Sequence, residues 1–321
     1  MTGRARSEGT RNDEERHGIV VRAAWLYYKD GLTQAEIGDR LFVSRATVGR
    51  LLDTARAEGI VRFEISADHL SAFKLSEDLR ARYVLADAVV VPRIPGDARD
   101  GRINGRVADA AAEYLKRFLR PGAVIGIGWG DTVVRVLFAL SRDSLDEVSI
   151  VAVAGGIDSY TREVTARNTN GVNEHLRIIP APLVASSPKI AAALRQDASV
   201  TSVMRLAESA VATLTGIGTS RPGASSIRSG LVTEDQVRSF REMGAVGDML
   251  GEWFDSRGVI IRKATSDRKI GLGIDRLRQM PNVIGVAGGI EKVGAIAGAL
   301  HGGYLRVLIT DEDVAEALLA L

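Results

Sequence analysis

AVIGIGWGDTVVRVLFAL, residues 123–140, reads as a buried strand, a glycine-bearing turn and a helix in direct succession. AVIGIG (123–128) is apolar on both faces, which suits a strand of a parallel sheet covered on both sides. The strand stops at Gly128 and a helix opens at Asp131-Thr132. Free backbone N–H groups and the positive end of the helix dipole converge there, so the turn suits an anion. The simplest anion is the phosphate of a small metabolite, with Gly130, Asp131 and Thr132 as backbone donors and Thr132 as an added hydroxyl. A tight strand-to-helix turn with an ordinary N-cap would use the same residues. A dinucleotide fingerprint from Gly126 would need glycine where Asp131 stands, and no Gly-Lys dipeptide exists for a Walker A loop.

The pattern recurs outward from this segment. Strand candidates are ADAVVV (86–91), SIVAVAG (149–155), RIIPAPLVA (177–185), VATLTGIG (211–218), VIGVAG (283–288) and LRVLIT (305–310). Such runs separated by helical stretches predict a doubly wound, mostly parallel α/β domain over 85–321, with ligands at the carboxyl ends of the strands. Glycines gather at those ends: Gly128, Gly155, Gly156, Gly218 and Gly289. They permit close backbone approach to a ligand and also make cheap turns. Lys292 falls in the first turn of a helix, where the dipole disfavours a cation unless an anion is near. It is expected to pair a phosphate, the other possibility being a solvated surface lysine. Asp248, in the apolar and apparently helical stretch GAVGDMLGEWFD, is expected either to accept hydrogen bonds from sugar hydroxyls or to cap the helix.

Ahead of this domain, GLTQAEIGDRLFVSRATVGRLLDTARAEGIVR (31–62) has the spacing of a helix-turn-helix. Thr33 is placed to cap a short helix that buries Ala35, Ile37 and Leu41, and Ser44 caps a second that buries Val48, Leu51 and Leu52. Arg45, Ala46, Thr47 and Arg50 then face outward, as residues that enter a major groove must. Gln34, Ser44 and Arg56 complete the expected DNA-binding set, with Gln34 and Arg56 at phosphates. Two positions are awkward: Gly38 inside the first helix and Phe42 in the turn. IVVRAAWLYY (19–28) is expected to be a preceding helix with its aromatic residues in the core, and IVRFEIS (60–66) a strand of a winged form. The expected organisation is a disordered arm over 1–15, the DNA-binding domain over 16–67, a linker helix over 68–84 and the α/β domain beyond.

Composition narrows the remaining choices. The chain has 321 residues and a net charge of +2. Residues 1–62 hold eleven basic and nine acidic side chains, so they carry the whole excess. DNA affinity must then come from local arrangement and from dimerisation. There is no cysteine, which removes thiolate chemistry, and the four histidines stand far apart, so no metal site and no cofactor are expected. No apolar run reaches a membrane span and the polar start lacks a signal-peptide core, so a cytoplasmic protein without a membrane partner is expected.

The segments SRATVGRLLDTARAEGIV, GIGWGDTV, VAVAGG, PAPL, GIGT, GAVGDMLGEWFDSRG and VIGVAGGIEKVGAIAGALHGGYLRVLITDEDVAEALLAL occur in this order over nearly the whole chain. Together they resemble the SorC family of sugar-binding transcriptional regulators. The resemblance implies a winged helix-turn-helix joined to an effector domain similar to sugar-phosphate isomerases. It also implies operator DNA and a phosphorylated sugar or related metabolite as partners, and a homo-oligomer, dimer or tetramer. Carried over, the phosphate loop is Gly130, Asp131 and Thr132, the phosphate lysine is Lys292 and the effector-contacting carboxylate is Asp248. Arg228 is a candidate for a second basic contact. Asp131 would repel a dianion if its side chain faced the site, which leaves an unphosphorylated sugar or polyol open. The alternative is a sugar-phosphate-processing enzyme with an appended DNA-binding domain. That reading needs a general acid and base, and the sequence offers no evident pair.

Overall fold

The computed structural model describes residues 17–61, 67–94, 102–167, 171–262 and 267–321. The expected arm and residues 62–66 of the expected wing strand lie outside the described residues. The chain divides into two compact units, Met1–Ser66 and Ala67–Leu321.

The first unit holds three helices: α1 (17–28), α2 (Gln34–Leu41) and α3 (Arg45–Ala57). Thr33 and Glu36 form a reciprocal capping box at the start of α2, and Ser44 caps α3 by accepting from the Thr47 N–H at 3.1 Å. Ala23, Leu26, Ile37, Val48 and Leu52 make the core. Two expectations are corrected here. Ala35 is exposed, and Gly38 takes its place in the buried face of α2. The aromatic residues of α1 are also outside: Trp25 is 59% exposed, and Tyr27 and Tyr28 lie at the surface, because Val20, Ala23, Ala24 and Leu26 already fill the helix's inner stripe.

The two awkward positions have a common cause. The turn Phe42-Val43 folds so tightly under α2 that a Cβ on Gly38 would stand 2.8 Å from the Val43 carbonyl oxygen. Phe42 ends α2 in the left-handed region (φ 55°), where its N–H reaches back to the Gly38 carbonyl and its side chain is 94% exposed.

The second unit is built on a seven-stranded sheet, all of it parallel, made of β1 (Asp87–Val91), β2 (Val124–Ile127), β3 (Ser149–Ala152), β4 (Leu176–Arg177), β5 (Ala212–Gly216), β9 (Val283–Val286) and β10 (Val307–Asp311). A three-stranded antiparallel sheet of β6 (Gly218–Thr219), β7 (Gly247–Met249) and β8 (Glu252–Phe254) follows directly from the end of β5. The order in the large sheet is β1-β10-β9-β5-β2-β3-β4. From β2 the chain steps outward through β3 to β4, then returns to place β5 on the other side of β2. Right-handed crossovers running in opposite directions put their helices on opposite faces, which makes the unit doubly wound.

Helix Ala67–Tyr83 packs into this unit. Leu79 is fully buried, the Val90 N–H of β1 donates to Ser76 Oγ at 3.1 Å, and Tyr83 donates to the Leu318 carbonyl at 3.0 Å. Two further expectations change. The strand expected over 177–185 is confined to Leu176–Arg177, because Pro180 and Pro182 have no N–H to give to a ladder. Asp248 lies on β7, not on a helix. Leu250 (φ 51°) and Gly251 (φ 75°) form a two-residue turn with both residues left-handed, the geometry that closes a β-hairpin. The hairpin is anchored by Glu252, which accepts from buried Lys269 at 3.2 Å and from the Ile274 N–H at 2.7 Å.

In an open helix interior, Gly→Ala raises stability by about 1 kcal/mol. At Gly38 the close approach to Val43 reverses the sign: Gly38→Ala should lower the stability of the first unit by about 1–3 kcal/mol, measured by chemical denaturation of the full chain followed by Trp25 fluorescence. A stabilised variant would contradict this account of the turn.

Candidate functional site

In an open parallel sheet the crevice forms where strand order reverses, and here that point lies between β2 and β5. A cavity of about 270 Å³ opens at their carboxyl ends. Its floor is Trp129, Gly130, Asp131 and Thr132 after β2, with Gly216, Ile217, Gly218 and Thr219 at the end of β5. Asp248 with the hairpin turn, Glu291 and Lys292 after β9, Tyr160, and the segment 221–231 complete the lining.

Helix Asp131–Ala139 starts at the cavity with Gly130 as N-cap and no side chain closing its first turn. Trp129 is pinned beneath, its indole N–H donating to the Ala154 carbonyl at 3.2 Å. The Asp131 carboxylate turns along its own helix to Arg135 at 3.4 Å. The first-turn N–H groups are therefore not neutralised by a capping side chain, although Asp131 lowers the local potential. Lys292 ends a 3-10 turn and is the N-cap of helix Val293–His301, one position ahead of the expected first turn. Its ammonium makes no ion pair with a described residue.

Gly218 and Asp248 sit directly opposite each other across β6 and β7. A Cβ at 218 would collide with Asp248 Oδ1, so glycine is required for this carboxylate to occupy its place. Asp248 is 7% exposed, and burial pushes its carboxyl up to about 7, against the Gly251 N–H and the Lys292 charge, which act to lower it. Burial likewise holds the Lys292 ammonium below the ordinary lysine value, Glu291, Asp131 and Asp248 opposing and Arg228 reinforcing. Tyr160 is raised, again chiefly by burial.

Of the residues singled out from sequence, Gly130, Asp131, Thr132, Gly218, Asp248 and Lys292 share this cavity, and so does Arg228. Gly128, Gly155, Gly156 and Gly289 do not line it. Gly128 lies under Leu250, and a Cβ on Gly155 would be 2.5 Å from the Pro182 carbonyl oxygen. Gly156 pairs with Pro182, and the Gly289 N–H donates to Asp311 at 2.7 Å. These four glycines serve backbone packing. Sequence reasoning missed Asn104, Trp129, Tyr160, Arg221, Ser225 and Ser226. The run TSRPGASSIRSG, with two arginines and four serines in a turn-rich stretch, carried the only signal for three of them.

In the first unit, Arg45, Ala46 and Arg50 are exposed on one side of α3 and Thr47 is half-buried, 3.4 Å from the Arg50 guanidinium. Ser44 spends its hydroxyl on the cap, and Gln34 is half-buried against Gly49. Arg56 pairs with Asp53 at 2.5 Å. Among the described residues no cluster of His, Asp or Glu could hold a metal ion, and no helix is long and apolar enough to cross a membrane.

The family described as "Putative sugar-binding domain" matches residues 68–320, and the MarR family matches residues 23–69. The chain is 36% identical to the transcriptional regulator LsrR of Klebsiella pneumoniae subsp. pneumoniae, over 94% of this chain and 93% of the relative. It is 37% identical to LsrR of Escherichia coli K12, over 94% of each. The full-length sorbitol operon regulator SorC from Klebsiella pneumoniae superposes with a TM-score of 0.69 at 27% identity, covering 94% of this chain and 98% of that one.

A carboxyl raised on folding keeps a proton that the unfolded chain gives up. Between its ordinary value of 3.8 and about 7, Asp248 therefore costs the folded state increasing stability as pH rises, and the loss persists above that window. Asp248→Asn should be close to neutral at the acid end of the window and progressively more stable than the parent toward its upper end. Melting temperatures of both chains across pH test this, and a difference independent of pH would contradict it.

Proposed function

The chain belongs to the SorC family of sugar-binding transcriptional regulators, and on that premise we propose that a small phosphorylated sugar or polyol in the switch-point cavity controls how the N-terminal unit holds operator DNA. The protein is a DNA-binding transcriptional regulator with a sugar-binding domain. Residues 16–67 are assigned to reading DNA, 68–84 to the connecting helix and 85–321 to sensing the effector.

One observation carries the reading: the Lys292 ammonium, which makes no ion pair with a described residue, and the first turn of helix Asp131–Ala139, which has no side-chain cap, line the same cavity as the buried Asp248 carboxylate. The first two suit a phosphate, through the backbone N–H groups of Gly130, Asp131 and Thr132 and the charge of Lys292. The third suits hydroxyl groups, which donate to a carboxylate. A molecule with one anionic end and several hydroxyls fits both.

On the DNA side, Arg45 and Arg50 are assigned to base edges in the major groove, with Ala46 and Thr47 between them, Gln34 and Arg56 at phosphates, and Ser44 holding the start of the helix by its cap. Arg56 must leave Asp53 to do so. With only a small positive excess in the first unit, two recognition helices are needed, so the acting form is a homo-oligomer in the cytoplasm. An effector shifts such an oligomer only by binding its two states unequally.

A thermal-shift screen of the full chain against matched phosphorylated and free sugars and polyols, followed by operator gel shifts, tests the reading. Phosphorylated members should stabilise the chain more than their free counterparts, and Lys292→Ala should remove most of the difference. Arg45→Ala and Arg50→Ala should each weaken specific operator binding by roughly five- to a hundredfold and leave the effector shift intact. Equal stabilisation by free and phosphorylated ligands would overturn the phosphate assignment, and unchanged operator affinity in both arginine variants would overturn the recognition face.

A further inference from the structure

Three residues that line the cavity each carry a buried side-chain atom with no hydrogen-bond partner among the described residues: Asn104 Oδ1, Ser226 Oγ and Asp248 Oδ1. Buried polar atoms are almost always partnered in folded proteins, so three orphans around one cavity point to something that binds there. They come from three separate parts of the chain. Asn104 lies in the first turn of helix Ile103–Leu115, Ser226 in the short helix Ser225–Arg228, and Asp248 on β7.

No described neighbour serves these three atoms. Asn104 Oδ1 and Asp311 Oδ2 both flank Gly288, at 3.5 and 3.1 Å from where its Cβ would stand. Asp311 is a carboxylate already accepting from the Gly289 and Val314 N–H groups at 2.7 and 3.1 Å, so it has nothing to donate. Asp248 faces Gly218, which has no side chain. Ser226 is 6% exposed, and its hydroxyl has no partner among the described residues.

The chemistry of the set is specific. A carboxylate accepts only, an amide oxygen accepts, and a serine hydroxyl does either. A phosphate offers acceptors only, so it gives nothing to the carboxyl when ionised or to the amide oxygen as placed. A hydroxyl group donates and accepts, so it satisfies all three, and it still satisfies Asn104 if the amide turns to present Nδ2. We propose that Asn104 and Ser226 join Asp248 in reading effector hydroxyls and are specificity-determining residues, making the cavity selective for a polyhydroxylated anion over a plain one. The proposal rests on the reading of this cavity as the effector site.

The test uses the full chain, with inorganic phosphate as the probe of the anionic end alone and a panel of ribose 5-phosphate, 2-deoxyribose 5-phosphate, glucose 6-phosphate and glycerol 3-phosphate as probes of both ends. Asn104→Leu and Ser226→Ala should each weaken the tightest-binding panel member by about tenfold and change inorganic phosphate affinity by less than about twofold. Lys292→Ala should weaken both. Since each substitution removes an unpartnered polar atom, the melting temperature without ligand should stay the same or rise. A panel that binds no tighter than inorganic phosphate to the parent chain would overturn the effector-site reading, and this proposal with it. A sugar phosphate that binds tightly and is indifferent to both substitutions would overturn this proposal alone, as for orphans served only by ordered water. A lowered melting temperature without ligand would do the same, since these atoms would then have partners in the empty protein.

Discussion

The site depends on one close approach, between a glycine and a carboxylate. Gly218 lies opposite Asp248, and the lack of a side chain at 218 is what lets a charged group enter the end of the sheet. Leaving that carboxylate nearly unsolvated raises its pKa and makes it costly to ionise. The cost is held in place by the hairpin turn at Leu250-Gly251 and by the buried Glu252–Lys269 pair that anchors β8. Removing either partner would leave the other charge buried and unpaired, which makes the anchor costly to break. On the proposed reading, Asp248 is thereby held in place for a ligand hydroxyl before any ligand arrives, and the Lys292 charge opposes the rise in its pKa.

Topology explains why the charges meet there. β2 and β5 are neighbours in space although the chain visits β3 and β4 between them. The start of the helix that follows β2 and the antiparallel strands that follow β5 both line the cavity. The orphan atoms of Asn104 and Ser226 belong to two other elements that line the same cavity, helix Ile103–Leu115 and the short helix Ser225–Arg228.

Much of this was legible in the sequence, for identifiable reasons. The parallel strands were readable because both their faces are apolar, and the anion-suited turn because a strand, glycines and a helix start coincide at 128–132. Periodicity failed where backbone chemistry overrode it. Pro180 and Pro182 break an apolar run that looks like a strand, and the turn at Leu250 adopts a left-handed conformation that leucine does not advertise, so β7 was read as helix. Of the ten residues expected at the effector, Gly130, Asp131, Thr132, Gly218, Asp248 and Lys292 share the cavity. Gly128, Gly155, Gly156 and Gly289 serve close packing instead, and a bare glycine carries no mark that tells the two uses apart. Asn104 was unreadable because its place depends on a contact between distant segments. In the first unit, Gly38 and Phe42 looked like flaws, and the tight turn beneath α2 explains both.

The central claim is that occupancy of the cavity and grip on DNA are one linked equilibrium. Linkage makes the coupling reciprocal: the factor by which a ligand changes operator affinity equals the factor by which operator changes ligand affinity. The direct measurement is both halves of that cycle for the full chain, with the best-stabilising sugar phosphate and a specific operator fragment, by titration calorimetry and gel shift. The account predicts two equal factors of about five or more, with Lys292→Ala needing more ligand to produce the same change in operator affinity. A ligand that binds tightly and leaves operator affinity unchanged would contradict it.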